Sequence, residues 1–117
     1  MDRPGVTLIA ADQFFDVDIR VGRVVACDLL PQARQPAYRM VIDFGELGRR
    51  RTSARITDRY QPDDLVDTLV VAVVNLPPRQ IGPLRSEVLV LGAYERGSHA
   101  VALLRPDGDC VPGDRVG

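Results

Sequence analysis

Glycine and proline punctuate this chain so often that few of its segments are long enough to build a helix. Pro31, Pro36, Gly45, Gly48, Pro77-Pro78, Gly82-Pro83, Gly97, Asp107-Gly108 and Pro112-Gly113 fall as turns between short runs. The runs read as strands. Arg20 to Leu30 is rich in Val. Tyr38 to Phe44 sets Tyr38, Met40, Ile42 and Phe44 on one face and Arg39, Val41 and Asp43 on the other, the two-residue period of a half-buried strand. Leu69 to Val74, Val88 to Leu91 and Ala100 to Leu104 are apolar on both parities, as strands covered on both sides are. Helical signals are confined to two places. Asp12 caps a turn through Phe14 and Val17, and Thr57 caps a turn over Asp58 to Gln61 that Pro62 interrupts.

At 117 residues the chain has room for one core and one domain. Many short strands with one brief helix between the third and fourth predict an all-β fold. The natural candidate is a five-stranded Greek-key barrel of the OB-fold type, with N-terminal and C-terminal extensions; residues 1-11 form the N-terminal extension and residues 12-117 the barrel domain. An immunoglobulin-like sandwich fits less well, because Trp is absent and the cysteines lack a ring to pack on. Cys27 and Cys110 lie far from each other and from His99, so neither a CxxC redox pair nor a zinc spacing can be drawn, and both are expected as free thiols. The longest apolar run, Leu69 to Val74, is too short to span a bilayer. Val6 to Ala11 follows a single Arg3 and runs into Asp12, unlike a signal peptide. The expectation is a cytoplasmic protein without membrane insertion. Catalysis needs a nucleophile with a base, a metal triad or paired carboxylates in separated environments, and none is assembled; no enzyme activity, metal or cofactor is expected.

The charge is unevenly spread. Lys+Arg total 15 against Asp+Glu 16, and every basic residue is Arg. Residues 34-59 hold 7 Arg against 3 acids, whereas residues 1-33 hold 3 against 5 and residues 60-117 hold 5 against 8. If Arg49 to Ile56 is a strand, Arg49, Arg51, Ser53 and Arg55 share one face and Arg50, Thr52, Ala54 and Ile56 the other. Same-face residues in a strand stand roughly 6.6–7 Å apart, close to the phosphate repeat of an extended nucleic-acid strand. Arg59 and Arg34 would extend the stripe. The alternative is a solvated face balanced by Asp43 and Glu46. Arg79 and Arg85 sit on a proline-stiffened loop, which in an OB-fold lies between strands four and five and closes over an oligonucleotide. Where that loop re-enters the sheet, Ser86 and Glu87 serve equally as ligand contacts or as structural braces. Of the few aromatic rings, Tyr38, Phe44, Tyr60 and Tyr94 are placed for stacking, so charge and shape should outweigh base reading.

Five blocks, Asp18-Ile-Arg-Val-Gly22, Val41-Ile-Asp-Phe-Gly45, Ser53-Ala-Arg-Ile-Thr57, Val71-Ala-Val-Val-Asn-Leu-Pro-Pro-Arg79 and Ser86-Glu-Val-Leu-Val-Leu-Gly92, together resemble the bacterial CsaA proteins. More broadly they resemble the tRNA-binding domain appended to methionyl- and phenylalanyl-tRNA synthetases. The resemblance covers residues 12-117, with the blocks in the same order. It implies an OB-fold homodimer that binds tRNA by shape and backbone, with export-related chaperone activity on unfolded polypeptides; the alternative is a peptide-binding chaperone whose main ligand is unfolded protein. Ser86-Glu87 match the family's Ser-Glu-Gly-Met motif, with Val88 and Leu89 standing in place of Gly and Met, a departure that CsaA-type members share. Arg20, Asn75 and Arg79 also match family positions, Arg20 in a structural capacity. The expected RNA-binding set is therefore Arg49, Arg51, Ser53, Arg55, Arg59, Asn75, Arg79, Arg85, Ser86 and Glu87. The expected peptide-binding set is Phe44, Val88 and Leu89. Strands apolar on both faces also call for a second protomer, with Phe14 and Phe15 either contributing to that interface or folded under their own barrel.

Overall fold

The eleven residues of β1, Ile19–Leu29, organise the barrel because they pair along both edges. The computed structural model describes residues 5–31 and 33–117; the part of the expected 1-11 extension that falls on residues 1–4 lies outside them. The first half of β1 pairs antiparallel with β4, Leu69–Val73, from Ile19↔Val73 to Arg23↔Leu69. Its second half pairs with β2, Tyr38–Asp43, and the register shifts between Val24 and Ala26, a bulge that turns the strand from one partner to the other. β3, Arg49–Ala54, continues the meander beside β2. The sheet order is β3-β2-β1-β4-β7, where β7 is Leu89–Val90; β10, Arg115–Val116, caps the start of β1. Between β4 and β7 stands a hairpin of β5, Arg79–Ile81, and β6, Leu84–Ser86. β8, Gly92–Tyr94, and β9, Val101–Leu103, form a second hairpin after the barrel. This is the all-β, OB-like barrel that the strand pattern predicts.

The core fills the barrel with Val24, Met40, Ile42, Phe44, Val70 and Ala72, and Leu65 closes one end. Gly22 is required where β1 crosses Phe44, since a Cβ there would lie 2.5 Å from Ile42 Cγ2 and 2.7 Å from Phe44 Cε1. β4 is buried on both faces, as its sequence predicts. Val70 and Ala72 point into the barrel, whereas Val71 and Val73 pack outside it with Ile19 and Leu91. Among the described residues no helix is long and apolar enough to cross a membrane.

Three local expectations need correction. The helix between β3 and β4 is α2, Pro62–Leu65, so Pro62 opens the helix instead of interrupting it. Its missing N–H would have had no helical partner in the first turn anyway, and the Gln61 N–H donates to Asp64 Oδ2 at 2.9 Å. The turn after Thr57 is closed by the Arg59 and Tyr60 N–H groups donating to Ile56 O. At the other end α1, Ala11–Phe15, begins one residue before Asp12, which occupies the first turn without capping it; the Ala10 N–H donates to Gln13 Oε1 at 2.8 Å. The run Ala100 to Leu104 supplies no barrel strand: β9 pairs with β8 in a separate hairpin, drawn close at Gly92, where a Cβ would meet Val101 Cγ1 at 2.4 Å, and Val101 and Leu103 pack against the barrel core.

Candidate nucleic-acid interface

The alternation expected of β3 is present. Arg49, Arg51 and Arg55 are exposed, Ser53 is half-buried among them, and Thr52 and Ile56 are buried on the opposite side. Across the outer face Arg49 faces Asp43, Arg51 faces Val41 and Ser53 faces Arg39. Asp43 forms no ion pair among the described residues; its Oδ1 accepts the Gly45 N–H at 2.8 Å. Among the described residues the side chains of Arg49 and Arg51 enter no ion pair or hydrogen bond, and Arg55 donates only to the neutral Gln35. Arg39 is paired with Asp28, and Arg50 folds back to donate to Leu47 O at 3.1 and 3.3 Å.

Ser86 and Glu87 lie against this stripe and close the barrel. The Glu87 N–H donates to Arg51 O at 2.8 Å, and the Arg51 N–H donates to Glu87 Oε1 at 2.9 Å, so a side chain stands in for one rung of the ladder. One residue further along, the Ser53 N–H donates to Ser86 Oγ at 3.2 Å, Ser86 Oγ lies 3.1 Å from Thr52 Oγ1, and Thr52 Oγ1 donates to Val88 O at 2.8 Å. Of the two roles left open for this pair, the geometry supplies the brace.

Beside the seam an open groove of about 1060 Å³ collects residues from distant parts of the chain. Arg34 enters from the β1–β2 loop, Arg55 from the end of β3 and Arg79 from the start of β5, with Leu89 and Tyr94 along the walls. Ser53, Ser86, Glu87 and Val88 also border it. Seven of the expected site residues thus meet on one groove: Ser53, Arg55, Arg79, Ser86, Glu87, Val88 and Leu89. Arg49 and Arg51 continue the cationic surface along β3 outside it, and Arg85 is exposed on β6 without lining it.

The remaining expected residues are engaged elsewhere. Arg59 pairs with Glu95 at 3.0 Å and lies 5.7 Å from the Tyr60 ring centroid. Asn75 latches the start of β1, its Oδ1 accepting the Asp18 N–H at 2.9 Å and its Nδ2 donating to Asp16 O at 2.8 Å. Phe44 is 0 % exposed and Val88 is buried, so of the expected peptide-binding residues only Leu89, 50 % exposed, offers a surface. Arg20 donates to both Asp18 oxygens, at 2.6 and 3.2 Å, and to Gly113 O at 3.1 Å, tying the C-terminal segment to β1. The hydrogen bond from Arg20 holds the Asp18 carboxyl below its ordinary value. Of the four rings, Tyr38 donates to Tyr60 O at 2.6 Å, and the Tyr60 hydroxyl accepts the Leu103 N–H at 2.9 Å. Tyr94 alone is free, 82 % exposed. Gln35 and His99, which also border the groove, carry no local sequence signal for that position. Among the described residues no group of three or more His, Cys, Asp or Glu is placed to hold a metal ion.

Comparison with known proteins agrees with this geometry. Residues 19–115 match the model of the family described as a putative tRNA binding domain. Methionine–tRNA ligase 1 of Sorangium cellulosum is 39% identical over 105 residues, which are 90% of this chain and 15% of that protein. Methionine–tRNA ligase of Thermotoga maritima is 33% identical over 108 residues, 92% of this chain and 16% of that protein. The chain therefore spans only a small part of these relatives' length. Among solved structures, the CsaA chaperone of Bacillus anthracis superposes with a TM-score of 0.89 at 40% identity, covering 95% of this chain and 100% of that one. The CsaA chaperone protein of Picrophilus torridus gives 0.88 at 42% identity, covering 94% and 100%. With the model match spanning β1 to β10 and the CsaA chains covered end to end, this chain belongs to the putative tRNA binding domain family and is a CsaA-type member of it.

Proposed function

We propose that this protein binds tRNA through the outer face of β3 and the groove beside it, by phosphate charge and shape with little base reading, and that it acts by binding without catalysing a reaction. One observation carries the proposal: Arg49 and Arg51 are exposed on the outer face of β3, Arg55 is exposed just past its end, and among the described residues no carboxylate forms an ion pair with any of them. Guanidinium groups in that state keep their forked donors available for phosphate oxygens. Membership in a family described as tRNA-binding, and a shared domain in proteins named methionine–tRNA ligases, support the same ligand. The barrel domain of residues 12-117 is the binding unit, and a tRNA ligand places the protein in the cytoplasm. Fluorescence anisotropy with labelled tRNA at several salt concentrations tests this. Each phosphate contact contributes about 0.7–0.9 to the slope of log affinity against log salt. The double substitution Arg49→Gln and Arg51→Gln is expected to lower the slope by about 1.4–1.8. An unchanged slope would reject the stripe as the contact surface.

The active form is proposed to be a homodimer. Phe15 is 63 % exposed, Phe14 stacks against it edge-to-face with ring centroids 5.3 Å apart, and Val6 and Ile9 are exposed on the same segment. The two rings do not fold under their own barrel, and a second protomer would remove this apolar surface from water. Sedimentation equilibrium of the protein and its Phe14→Ser, Phe15→Ser variant tests it; a wild-type monomer at micromolar concentration rules it out.

A second reading, protection of unfolded or exported polypeptide, is favoured by the exposed Leu76 and Leu89 on the groove and by the chaperone names of the two CsaA structures. Light scattering from an aggregating client, with and without stoichiometric protein, tests it. Absence of suppression counts against it.

A further inference from the structure

We propose that the groove is a subsite for an unpaired nucleotide, its base stacked on Tyr94 and its flanking phosphates held by Arg34, Arg55 and Arg79. This deepens the tRNA reading and rests on it. An 82 % exposed tyrosine ring that meets no other ring and makes no hydrogen bond among the described residues leaves a large apolar face in water. The backbone that carries the ring is nevertheless fixed. Tyr94 pairs with Val101 in the β8–β9 hairpin, the Leu103 N–H of that hairpin donates to the Tyr60 hydroxyl at 2.9 Å, and Glu95, next to Tyr94, pairs with Arg59 at 3.0 Å. Arg59 thereby helps to tie down the hairpin from which the ring projects.

The occupant follows from charge and shape. Arg34, Arg55 and Arg79 line the groove, and its single acid, Glu87, already accepts the Arg51 N–H. Three guanidiniums against one engaged carboxylate favour an anionic polymer. At about 1060 Å³ the open groove is slightly larger than the usual ligand pocket of roughly 300–1,000 Å³. Bases inside a duplex are stacked on each other and cannot reach a ring on a groove wall, whereas an unpaired base can turn onto it. The convex arginine stripe of β3 and the concave aromatic groove thus divide the work, the first meeting helical backbone and the second a single-stranded segment.

The chain contains no Trp, so Tyr94→Trp introduces a single indole that preserves stacking and reports it. A single-stranded RNA hexanucleotide is expected to quench that indole, and a blunt RNA duplex of equal charge to leave it unchanged. Loss of one stacked base corresponds to about a 5- to 150-fold weakening, so Tyr94→Ala should bind the hexanucleotide that much less tightly while Tyr94→Phe binds as wild type. The exposed position of Tyr94 keeps these variants folded. Wild-type affinity in Tyr94→Ala, or equal quenching by the duplex, overturns the proposal. Quenching by an acidic, leucine-containing peptide with no response to RNA overturns it too and assigns the groove to polypeptide. If tRNA still binds with its Arg49- and Arg51-dependent salt slope while the hexanucleotide does not bind, the subsite fails alone. If the wild type binds neither RNA, both readings fail.

Discussion

Replacing Thr52 by Val isolates the seam that holds the arginine stripe in place. Thr52 is 0 % exposed, and its Oγ1 lies 2.8 Å from Val88 O, 3.2 Å from Ser53 O and 3.1 Å from Ser86 Oγ. A hydroxyl has one proton, and the shorter contact with a pure acceptor takes it; Ser86 then donates to Thr52 and accepts the Ser53 N–H at 3.2 Å. The polarity runs in one direction from the Ser53 N–H to the Val88 carbonyl. Valine keeps the shape and removes the link, stranding the Val88 oxygen at a buried residue and depriving Ser86 of its acceptor. Orphaning a buried acceptor costs about 1–3 kcal/mol. For a domain of this size that corresponds to a fall in Tm of roughly 4–12 °C. Urea unfolding followed by circular dichroism should show a lower midpoint at unchanged m, the signature of a stability change within a two-state transition. Because Ser86 acts through Thr52, Ser86→Ala should cost less in the Thr52→Val background, with a coupling of about 1 kcal/mol in the double-mutant cycle. A Thr52→Val loss below about 0.5 kcal/mol, together with additivity of the two substitutions, would refute the relay. Ser86 would then be available to a ligand.

Three further outcomes follow from groups away from the groove. Burial, with Asp28 adding to it, pushes the Cys27 thiol from 9.0 up to about 11, so the fold disfavours the thiolate. The urea midpoint should hold up to about pH 9 and decline above it, and Cys27→Ala should reduce the early part of that decline, leaving the part due to the buried Tyr38 phenol, which burial also shifts upward. Asp18 has the opposite sign: Arg20 depresses its pKa below 3.8, so its contribution is present above about pH 4 and lost as the pH falls through the folded value. Asp18→Asn should flatten the acid limb of the stability profile. Gly22→Ala forces a Cβ to within 2.5 Å of Ile42 and 2.7 Å of the Phe44 ring; overpacking of that kind costs about 1–3 kcal/mol, measurable as a lower Tm.

The barrel was legible where the two faces of a strand meet different surroundings. β2 and β3 each put one parity into the core and the other into water, so alternation named both the strands and the exposed arginines. The same rule is silent for Ala100 to Leu104, because apolar residues on both parities say that a strand is covered and not by what; it pairs with β8 outside the barrel sheet and lays Val101 and Leu103 against the barrel core. Pro62 is ambiguous in sequence because proline breaks a helix interior yet suits its first position, and which applies depends on where the chain turns after Ile56. Tyr94 could not be separated from Tyr38 and Tyr60 by sequence, since all three are lone rings among strands. Only the fold shows that two of them spend their hydroxyls on Tyr60 O and the Leu103 N–H.

Ser86 and Glu87 show why a motif can be located in the sequence and still leave its role open. A serine and a glutamate at the mouth of a loop have the donors and acceptors for RNA, and the same atoms also replace rungs between β3 and the segment entering β7. The two uses compete. For Glu87 Oε1 to accept from a base edge it must release the Arg51 N–H at 2.9 Å, loosening the strand that presents Arg49 and Arg51 to the phosphates. A site that gained one base contact at the expense of its own scaffold would lose the backbone contacts that dominate RNA affinity. On the proposed tRNA reading, the seam would serve binding by keeping β3 in register, and discrimination among RNAs would fall to Arg34, Arg79 and Tyr94, whose side chains make no hydrogen bond or ion pair among the described residues.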